Sequence, residues 1–208
     1  MYLAFDTETT GLPARKSYSD YYPPENLEKY DRSRIVSIAW ILFSDSETLA
    51  KHYYVIKPNG FTIDDRSKAT EIHGITQEIA DKDGVDLLSV LKALYIDLSR
   101  CETLVAHNLQ FDKNILLSEI HRLLQQEGSP DPTLEKLLTS YLSKKEFCTM
   151  KKTINIVGAL AKNGRLKYPR LDELHTHYFG TNVLNAHNAL ADTEACCRCF
   201  LAIPQHSI

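Results

Sequence analysis

The sequence lacks any apolar run long enough to cross a membrane. Its longest runs are short segments such as Ile38–Phe43, whereas a membrane-spanning helix needs about 20 residues. The chain opens with Met1-Tyr2-Leu3 and shows no basic segment followed by an apolar one, so we expect no signal peptide. Hydrophobic residues make up 43% of the 208 residues and charged residues 25%. This composition excludes collagen-like, coiled-coil and disordered chains and is typical of one soluble domain.

The spacing of the cysteines does not indicate disulfide bonds. The chain has five cysteines, an odd number, and three of them crowd together at Cys196, Cys197 and Cys199. This arrangement is not a disulfide framework, and it lacks the spaced cysteine or histidine partners of a zinc site. We therefore expect reduced thiols, mostly in the core, and a cytoplasmic protein.

An overall basic charge, which would point directly to nucleic acid, is absent. The net charge is −3, from 24 basic and 27 acidic residues. The distribution is uneven, because the segment Lys144–Arg170 holds eight basic residues and the single acid Glu146, a net +7 that leaves −10 for the remainder. Such a basic segment is either a solvated face or part of a nucleic-acid path, and composition alone does not choose between them.

Hydrophobic periodicity predicts alternating strands and helices. The strands are Tyr2–Asp6, Ile35–Phe43, His52–Lys57 and Thr103–Ala106. The helices cover Val85–Leu98, Leu109–Gln126, Thr153–Lys162, Leu171–Phe179 and Asn188–Ala202, and the second of them is followed by the stop signal Glu127–Pro130. This order predicts an α/β fold with a mixed sheet, formed as one domain over residues 1–208.

The segment Pro13–Arg34 is too long for a hairpin loop. It contains four of the eleven tyrosines: Tyr18, Tyr21, Tyr22 and Tyr30. Long loops in compact domains are usually functional or mobile. The tyrosines could stack on unpaired bases or pack over the sheet, and the sequence favours neither.

One pair of acids and two single acids lie beside apolar residues. Asp6 and Glu8 are two residues apart at the end of the first strand, so the strand period points both to one face. Asp112 lies in the first turn of its helix, at the edge of the apolar face, a position where an acid is often only a cap or a partner of the helix dipole. Asp192 is the only charge on the apolar arc of the last helix, whose wet face is marked by Glu194 and Arg198 as an i,i+4 pair.

Four converging carboxylates suit a hard cation. A buried lone carboxylate must be neutral, paired or bound to a metal, and oxygen ligands suit Mg²⁺ or Mn²⁺. His187 lies five residues before Asp192 and could reach the same site. Histidine side chains ordinarily titrate near neutral pH, which suits a general base.

Three segments together resemble the motifs of the DEDD 3′–5′ exonucleases. They are Phe5-Asp6-Thr7-Glu8-Thr9-Thr10-Gly11-Leu12, Ala106-His107-Asn108-Leu109-Gln110-Phe111-Asp112 and His187-Asn188-Ala189-Leu190-Ala191-Asp192. Ile72-His73-Gly74-Ile75-Thr76 matches a further family signature. The resemblance runs from Met1 to about Ala202, and it is greatest to the proofreading epsilon-subunit type of bacterial DNA polymerase III.

The resemblance implies a ribonuclease H-like fold, with a five-stranded mixed sheet flanked by helices. It implies Asp6, Glu8, Asp112 and Asp192 as ligands of two divalent cations, Mg²⁺ or Mn²⁺, and His187 as the base that deprotonates water. Asn188 stands where a sister branch has tyrosine, so the chain resembles the histidine branch. By family position, the terminal nucleotide would be contacted by Thr9, Thr10, Leu12, His73 and Phe111. The implied partner is nucleic acid, with DNA 3′ ends as the substrate and mononucleotides as products.

Two departures from the epsilon-subunit type stand out. The Pro13–Arg34 segment is longer, and no counterpart of the C-terminal tail that binds the polymerase is recognisable, which favours a free-standing exonuclease. The alternatives are an RNA-trimming member of the superfamily and a non-catalytic nucleic-acid-binding module. The presence of all four acids and the histidine disfavours the second alternative.

Overall fold

A five-stranded mixed sheet organises the chain. The computed structural model describes residues 1–17, 20–126 and 131–204. The strand order is β5-β4-β1-β6-β7, from Thr48–Val55, Ile35–Phe43, Tyr2–Thr9, Thr103–Ala106 and Lys145–Cys148. β1 pairs antiparallel with β4 and parallel with β6, β4 pairs antiparallel with β5, and β6 pairs parallel with β7. The predicted α/β fold with a five-stranded mixed sheet is confirmed.

Helices cover both faces of the sheet. They are α1 Lys68–His73, α2 Gln77–Asp83, α3 Leu87–Leu98, α4 Leu109–Leu124, α5 Pro132–Leu142, α6 Thr149–Lys152, α7 Ile154–Val157, α8 Leu171–Phe179 and α9 Ala189–Ala202. Among the described residues, none of these helices is long and apolar enough to span a membrane.

The alternation of β1 divides the core into two layers. Leu3 and Phe5 belong to the cluster that packs against α3, α4 and α5, whereas Ala4 belongs to the cluster packed against α9. Successive side chains of a strand point to opposite faces. Asp6 and Glu8 therefore continue the α9 side of β1, and Thr7 continues the α4 side.

Several predicted elements have the bounds that the sequence suggested. Ile35–Phe43, Thr103–Ala106 and Leu171–Phe179 are confirmed to the residue. The last helix is Ala189–Ala202, with Asn188 as its N-cap. α4 begins at Leu109 and ends at Leu124; the predicted stop signal over residues 127–130 lies outside the described residues.

Two predicted elements have clearly different bounds in the structure. The strand predicted at His52–Lys57 is Thr48–Val55, because the short turn after β4 brings Thr48 opposite Phe43 and starts the pairing earlier. The helix predicted over Thr153–Lys162 shortens to Ile154–Val157, since Gly158 adopts a left-handed conformation with φ +66° and ends it.

The surface pairing predicted on α9 was also wrong. Glu194 and Arg198 are exposed as expected, but they contact other elements and not each other. Glu194 accepts from Lys51 at 2.8 Å, and the Arg198 guanidinium lies 4.4 Å above the Phe179 ring. Tertiary partners have replaced the local i,i+4 pair.

The Pro13–Arg34 segment is anchored at both ends. It contains the two short strands β2 (Arg15–Ser17) and β3 (Asp20–Tyr21) and one turn of 3₁₀ helix, Leu27–Lys29. Tyr30 is fully buried in the main core, and Tyr21 is only 7% exposed. These two tyrosines therefore pack inside the fold, and their rings are not exposed for stacking on bases. Tyr18 lies outside the described residues.

Candidate active site

Three carboxylates meet where β1 passes α9. Oxygens of Asp6, Glu8 and Asp192 all lie within 4.8 Å of one another, and each residue is partly buried. β1 brings the first two together because they are two residues apart, as predicted. A register shift in the β1–β4 pairing follows at once, between Glu8 and Thr9. Such an irregularity increases the local twist and re-aims side chains near a strand end.

The start of α9 fixes the third carboxylate. Asn188 caps the helix by accepting from the Leu190 and Ala191 amides at 3.1 and 3.2 Å. The backbone N–H of His187 donates to Asp192 Oδ2 at 3.0 Å. His187 has φ +68°, a left-handed conformation, and its side chain is exposed. The predicted base and the predicted ligand are thus joined through the backbone, with the imidazole left facing solvent.

Asp112 does not join the group of three oxygens. It is 2% exposed, and its Oδ1 accepts from both the backbone N–H and the hydroxyl of Thr7, at 3.0 and 2.8 Å. Thr7 lies on the α4 side of β1, opposite Asp6 and Glu8. Three of the four predicted acids therefore form one group, and the fourth, Asp112, is held beside it by Thr7, close enough for its charge to raise the pKa of Asp6 and Glu8.

The charges of these acids oppose one another. Burial raises the pKa of Asp6 well above its usual value, with further contributions from Asp112, Glu8 and Asp192. Burial, then Asp192 and Asp112, raises the pKa of Glu8 to about 8. Burial raises the pKa of Asp112 to about 7 despite the two hydrogen bonds from Thr7. A divalent cation would relieve this repulsion, and the all-oxygen donor set suits Mg²⁺ or Mn²⁺.

We predict that the metal-free protein loses stability as the pH rises from about 4.5 to about 8. A carboxyl whose folded pKa is raised keeps its proton in the fold while the unfolded chain has lost it. The stability that this proton provides is lost as the pH rises through the folded pKa. For Glu8 the interval runs from the usual value of 4.5 to about 8. We expect a decrease of roughly 1–4 kcal/mol, measured by urea unfolding in chelator.

Asp131 provides a matched control for this measurement. Its pKa is lowered to about 2 by hydrogen bonds from Lys92 and Thr133, so its contribution to stability is lost only in acid. Asp131→Asn should leave the slope between pH 5 and about 8 unchanged, whereas Glu8→Gln should flatten it. A metal-free protein of constant stability across this interval would contradict the carboxylate repulsion. Added Mn²⁺ should restore more stability at high pH than at pH 5.

The turn after β1 carries three of the predicted nucleotide contacts. Thr9 is 7% exposed and its hydroxyl donates to Gly11 O at 2.7 Å. The Thr10 hydroxyl donates to Arg32 O at 3.1 Å and accepts from the Arg34 amide at 3.0 Å. Both threonine hydroxyls therefore shape the turn, and what this turn offers outward is Leu12, which is 70% exposed.

The other two predicted nucleotide contacts flank the same edge. His73, the last residue of α1, accepts from the Ile75 amide through Nδ1 at 3.0 Å, which places its ring proton on Nε2. Burial lowers the pKa of His73, and a hydrogen bond with the Thr9 backbone opposes that shift. Phe111, one residue before Asp112, is half-buried with its ring 6.4 Å from that of Tyr21. Their contacts with a nucleotide remain a prediction.

Sequence reasoning missed three residues that support the site. Thr7 stands inside the recognised motif, but its partner is 105 residues away. Tyr53, on β5, lies near Glu8 and hydrogen-bonds Asn188, and burial raises the pKa of this tyrosine. His107 bonds Thr149 Oγ1 at 2.9 Å and donates through Nε2 to Pro169 O at 3.0 Å. Thr7 and His107 carried a sequence signal, as members of the first and second motifs, and Tyr53 carried none.

The basic segment divides between the two ends of the sheet. Lys144 and Lys145 lie level with the start of β6, since Lys145 pairs with Thr103, and the Lys144 ammonium donates to Cys101 O. Lys151 follows the carboxyl end of β7 and donates to Gln110 Oε1 at 3.3 Å, beside α4. Lys167 and Arg170 pair with Glu173 and Asp172. Lys144 and Lys145 are therefore removed from the predicted nucleic-acid path.

A family comparison covers nearly the whole chain. The model of the RNase_T family, described as exonuclease, matches residues 3–200. The chain belongs to the exonuclease family. A search of curated proteins gave no significant match. The predicted family resemblance is confirmed at this level; the narrower likeness to the epsilon-subunit type remains a prediction.

Solved exonuclease structures share the fold. Escherichia coli exonuclease I with a dT13 oligonucleotide gives a TM-score of 0.67 at 16% identity over 98% of this chain and 41% of its own. Exonuclease X with 5′-overhanging duplex DNA gives 0.57 at 21% identity, over 97% and 90%. A zinc-bound complex of E. coli exonuclease I with single-stranded DNA gives 0.65 at 17% identity, over 97% of this chain and 40% of its own. The chain thus spans about two fifths of exonuclease I.

Proposed function

We propose that this protein is a metal-dependent 3′–5′ exonuclease that hydrolyses DNA from the 3′ end and releases mononucleotides. The observation that carries the proposal is the group of Asp6, Glu8 and Asp192 oxygens within 4.8 Å of one another. Buried carboxylates this close are costly without a cation. Family membership over residues 3–200 supports a nuclease that acts on nucleic acid.

The proposed chemistry divides between the cation site and the chain. Two Mg²⁺ or Mn²⁺ ions, when bound, would polarise the scissile phosphate and lower the pKa of a bound water. Asp6, Glu8 and Asp192 would hold the cations, and Asp112 would complete the set from α4. The two hydrogen bonds from Thr7 hold the Asp112 carboxylate in place.

His187 accepts the proton of the attacking water. Its position on the exposed loop before α9 gives the imidazole access to the site. The hydrogen bond that its backbone N–H donates to Asp192 Oδ2 limits how far the loop can move from the carboxylates. The exposed Leu12 and half-buried Phe111 lie along the terminal nucleotide. A general base within hydrogen-bond reach of the water completes the mechanism.

An RNA-trimming exonuclease is the second candidate function. The same acids would serve either substrate, and the 2′-hydroxyl would distinguish them. Exonuclease I and exonuclease X are each solved with DNA, which supports the DNA assignment as the first one to test.

One assay separates these functions. Matched 5′-labelled DNA and RNA oligomers are incubated with Mg²⁺, with Mn²⁺ and with excess chelator. We expect ladders shortened from the 3′ end and free mononucleotides on DNA, and no cleavage in chelator. Faster cleavage of RNA would favour the second function, and binding without cleavage under all conditions would favour a non-catalytic module.

We predict that only part of the basic segment binds the nucleic-acid backbone. Reversing Lys151, Lys152 and Arg165 to Glu should raise KM at least about tenfold and make the salt dependence shallower by about one log–log unit for each lost contact. Turnover should change less. Lys145→Glu is the control, because Lys145 stands at the other end of β6 and β7. Unchanged KM and salt slope in the triple variant would make the segment a solvated face.

A further inference from the structure

Tyr53 brings a phenol to the active site from β5, an edge strand of the sheet. It stands opposite Ala39 of β4, and Ala39 stands opposite Asp6 of β1. Residues directly opposite each other in antiparallel strands have side chains on the same face. The Tyr53 side chain is half-buried and lies near Glu8, whose charge adds to the effect of burial in raising the pKa of the phenol. The proposed chemistry assigns this hydroxyl no role.

The Tyr53 hydroxyl meets the start of α9 at Asn188. The side-chain oxygen of Asn188 is already engaged, because it accepts from the Leu190 and Ala191 amides at 3.1 and 3.2 Å as the helix cap. An asparagine side chain also carries an amino group with two N–H donors. This amino group is therefore the one that donates to the Tyr53 hydroxyl. A single side chain both caps α9 and joins it to β5.

A second contact joins the same strand to the same helix. Lys51 and Tyr53 are two residues apart on β5, so both point to the α9 face of the sheet. The Lys51 ammonium donates to Glu194 Oε1 at 2.8 Å, further along the helix than Asn188. This ion pair is exposed and contributes little to stability. It shows that β5 follows the first half of α9, and Tyr53 continues this line of contacts at the end of α9 that carries the site.

The residue before Asn188 is the proposed base. His187 has φ +68° and is exposed, and Asn185, two residues earlier, has φ +55°. Left-handed backbone in residues other than glycine costs free energy and persists where surrounding contacts hold it. One such contact is the bond from the His187 backbone N–H to Asp192 Oδ2. The contact between Asn188 and Tyr53 is a second one, and it comes from a strand that holds none of the proposed cation ligands.

We propose that Tyr53 is a positioning residue for hydrolysis: its hydroxyl holds Asn188 and thereby keeps the His187 imidazole turned towards the attacking water. This inference rests on the proposed exonuclease function and deepens it. Tyr53 contacts neither the water nor the scissile phosphate in this role, so its loss should act on turnover through His187. The carboxylate group and the binding of the strand should be unaffected.

Tyr53→Phe tests the role because it removes the hydroxyl and keeps the ring. We expect kcat to fall roughly 2- to 12-fold, the factor that corresponds to one hydrogen bond. KM for a labelled DNA strand and the affinity for Mn²⁺ should stay near the wild-type values. In a His187→Ala background, the same change should lower kcat no further, because the group through which Tyr53 acts is already missing. Initial rates and isothermal titration give these quantities.

Two further variants test the route through Asn188. Asn188→Ser keeps an oxygen that can cap α9 but removes the amino group that meets Tyr53. Its loss of kcat should equal that of Tyr53→Phe, and the two losses should not add. Tyr54→Phe is the matched control, since Tyr54 is the next residue of β5 and its ring stacks 5.5 Å from that of Trp40 on the other face of the sheet. It should keep the wild-type kcat in every background.

Hydrogen exchange measures the same contact without catalysis. In the metal-free protein, Tyr53→Phe should speed the exchange of the backbone amides held at the start of α9 by at least about twofold. These amides are those of His187, Leu190 and Ala191. The Leu174 amide, which donates to Arg170 O in the first turn of α8, should exchange at the wild-type rate.

The outcomes separate this inference from the proposed function. Wild-type kcat in Tyr53→Phe, or amides that exchange no faster, would overturn the inference and leave the exonuclease proposal intact. A loss of kcat that persists in the His187→Ala background, or weaker Mn²⁺ binding, would also overturn it, because Tyr53 would then act on the carboxylates. A wild type that cleaves no strand would overturn the exonuclease proposal, whereas the exchange rates would still decide whether Tyr53 holds the segment before α9.

Discussion

Asp6→Ala should eliminate hydrolysis and, in the absence of metal, make the folded protein more stable at pH 8. Asp6 shares the three-carboxylate group with Glu8 and Asp192, so its loss removes a ligand that no neighbour replaces. We expect turnover to fall by at least about 10³-fold, no less than the loss of one preorganised hydrogen-bond donor in other enzymes. The gain in stability follows because a buried carboxylate, whose pKa its neighbours raise, is no longer present.

Both halves of this result have a separate measurement. Initial rates on a labelled oligomer in Mn²⁺ give turnover, and thermal unfolding in chelator gives stability. Asp83→Ala is the matched control, since Asp83 is exposed at the end of α2, and both quantities should match the wild type. Activity that survives Asp6→Ala would reject the metal-ligand assignment. A variant that is inactive because it unfolds would have a lower melting temperature than the wild type, whereas we expect a higher one.

His187→Ala and Asp192→Asn should fail in different ways. Asp192→Asn removes a charge from the carboxylate group, so Mn²⁺ affinity and turnover should both be lost. His187→Ala keeps the backbone N–H that donates to Asp192 Oδ2, so metal affinity should stay near that of the wild type. Its turnover should fall by roughly 10²–10⁴, the usual contribution of a positioned acid–base group.

Isothermal titration with Mn²⁺ and initial rates distinguish these outcomes. The acidic limb of the pH–rate profile should change in His187→Ala, because protonated imidazole cannot accept the proton of water. Wild-type turnover in this variant would remove His187 from the proposed mechanism. Lost Mn²⁺ binding would instead make the imidazole a ligand. His177→Ala, on the exposed last turn of α8, should alter neither quantity.

The fold was predictable where apolar periodicity was strong and local. The fully buried Ile35–Phe43 strand and the amphipathic start of α4 gave correct boundaries. β7 was not predicted, because Lys145–Cys148 is short and half exposed and forms a strand only by pairing with β6. The error over Thr153–Lys162 has a similar cause, since the bridge between Leu160 and Leu166 competes with helix continuation.

Local patterns in the sequence predicted part of the arrangement of the candidate site, and the roles of its residues stay predictions. Period-2 spacing correctly placed Asp6 and Glu8 on one face, and the apolar arc of α9 correctly singled out Asp192. The position of Asp112 depends on hydrogen bonds from Thr7 across 105 residues, and no local pattern encodes such a bond. A cleft that Tyr21 and Tyr168 both line was likewise hidden, because these two residues are far apart in the sequence.

The anchored ends of the Pro13–Arg34 segment have an evolutionary consequence. The Thr10 amide donates to Arg34 O at 2.9 Å and the Ala14 amide to Lys29 O at 2.9 Å, so the segment forms a closed excursion that leaves and rejoins the sheet at one place. The cost of lengthening such a loop grows only slowly with its length. The register shift after Glu8 also separates the excursion from the pairing that sets the spacing of Asp6 and Glu8. A lineage can therefore gain or lose residues here while the carboxylate group keeps its geometry.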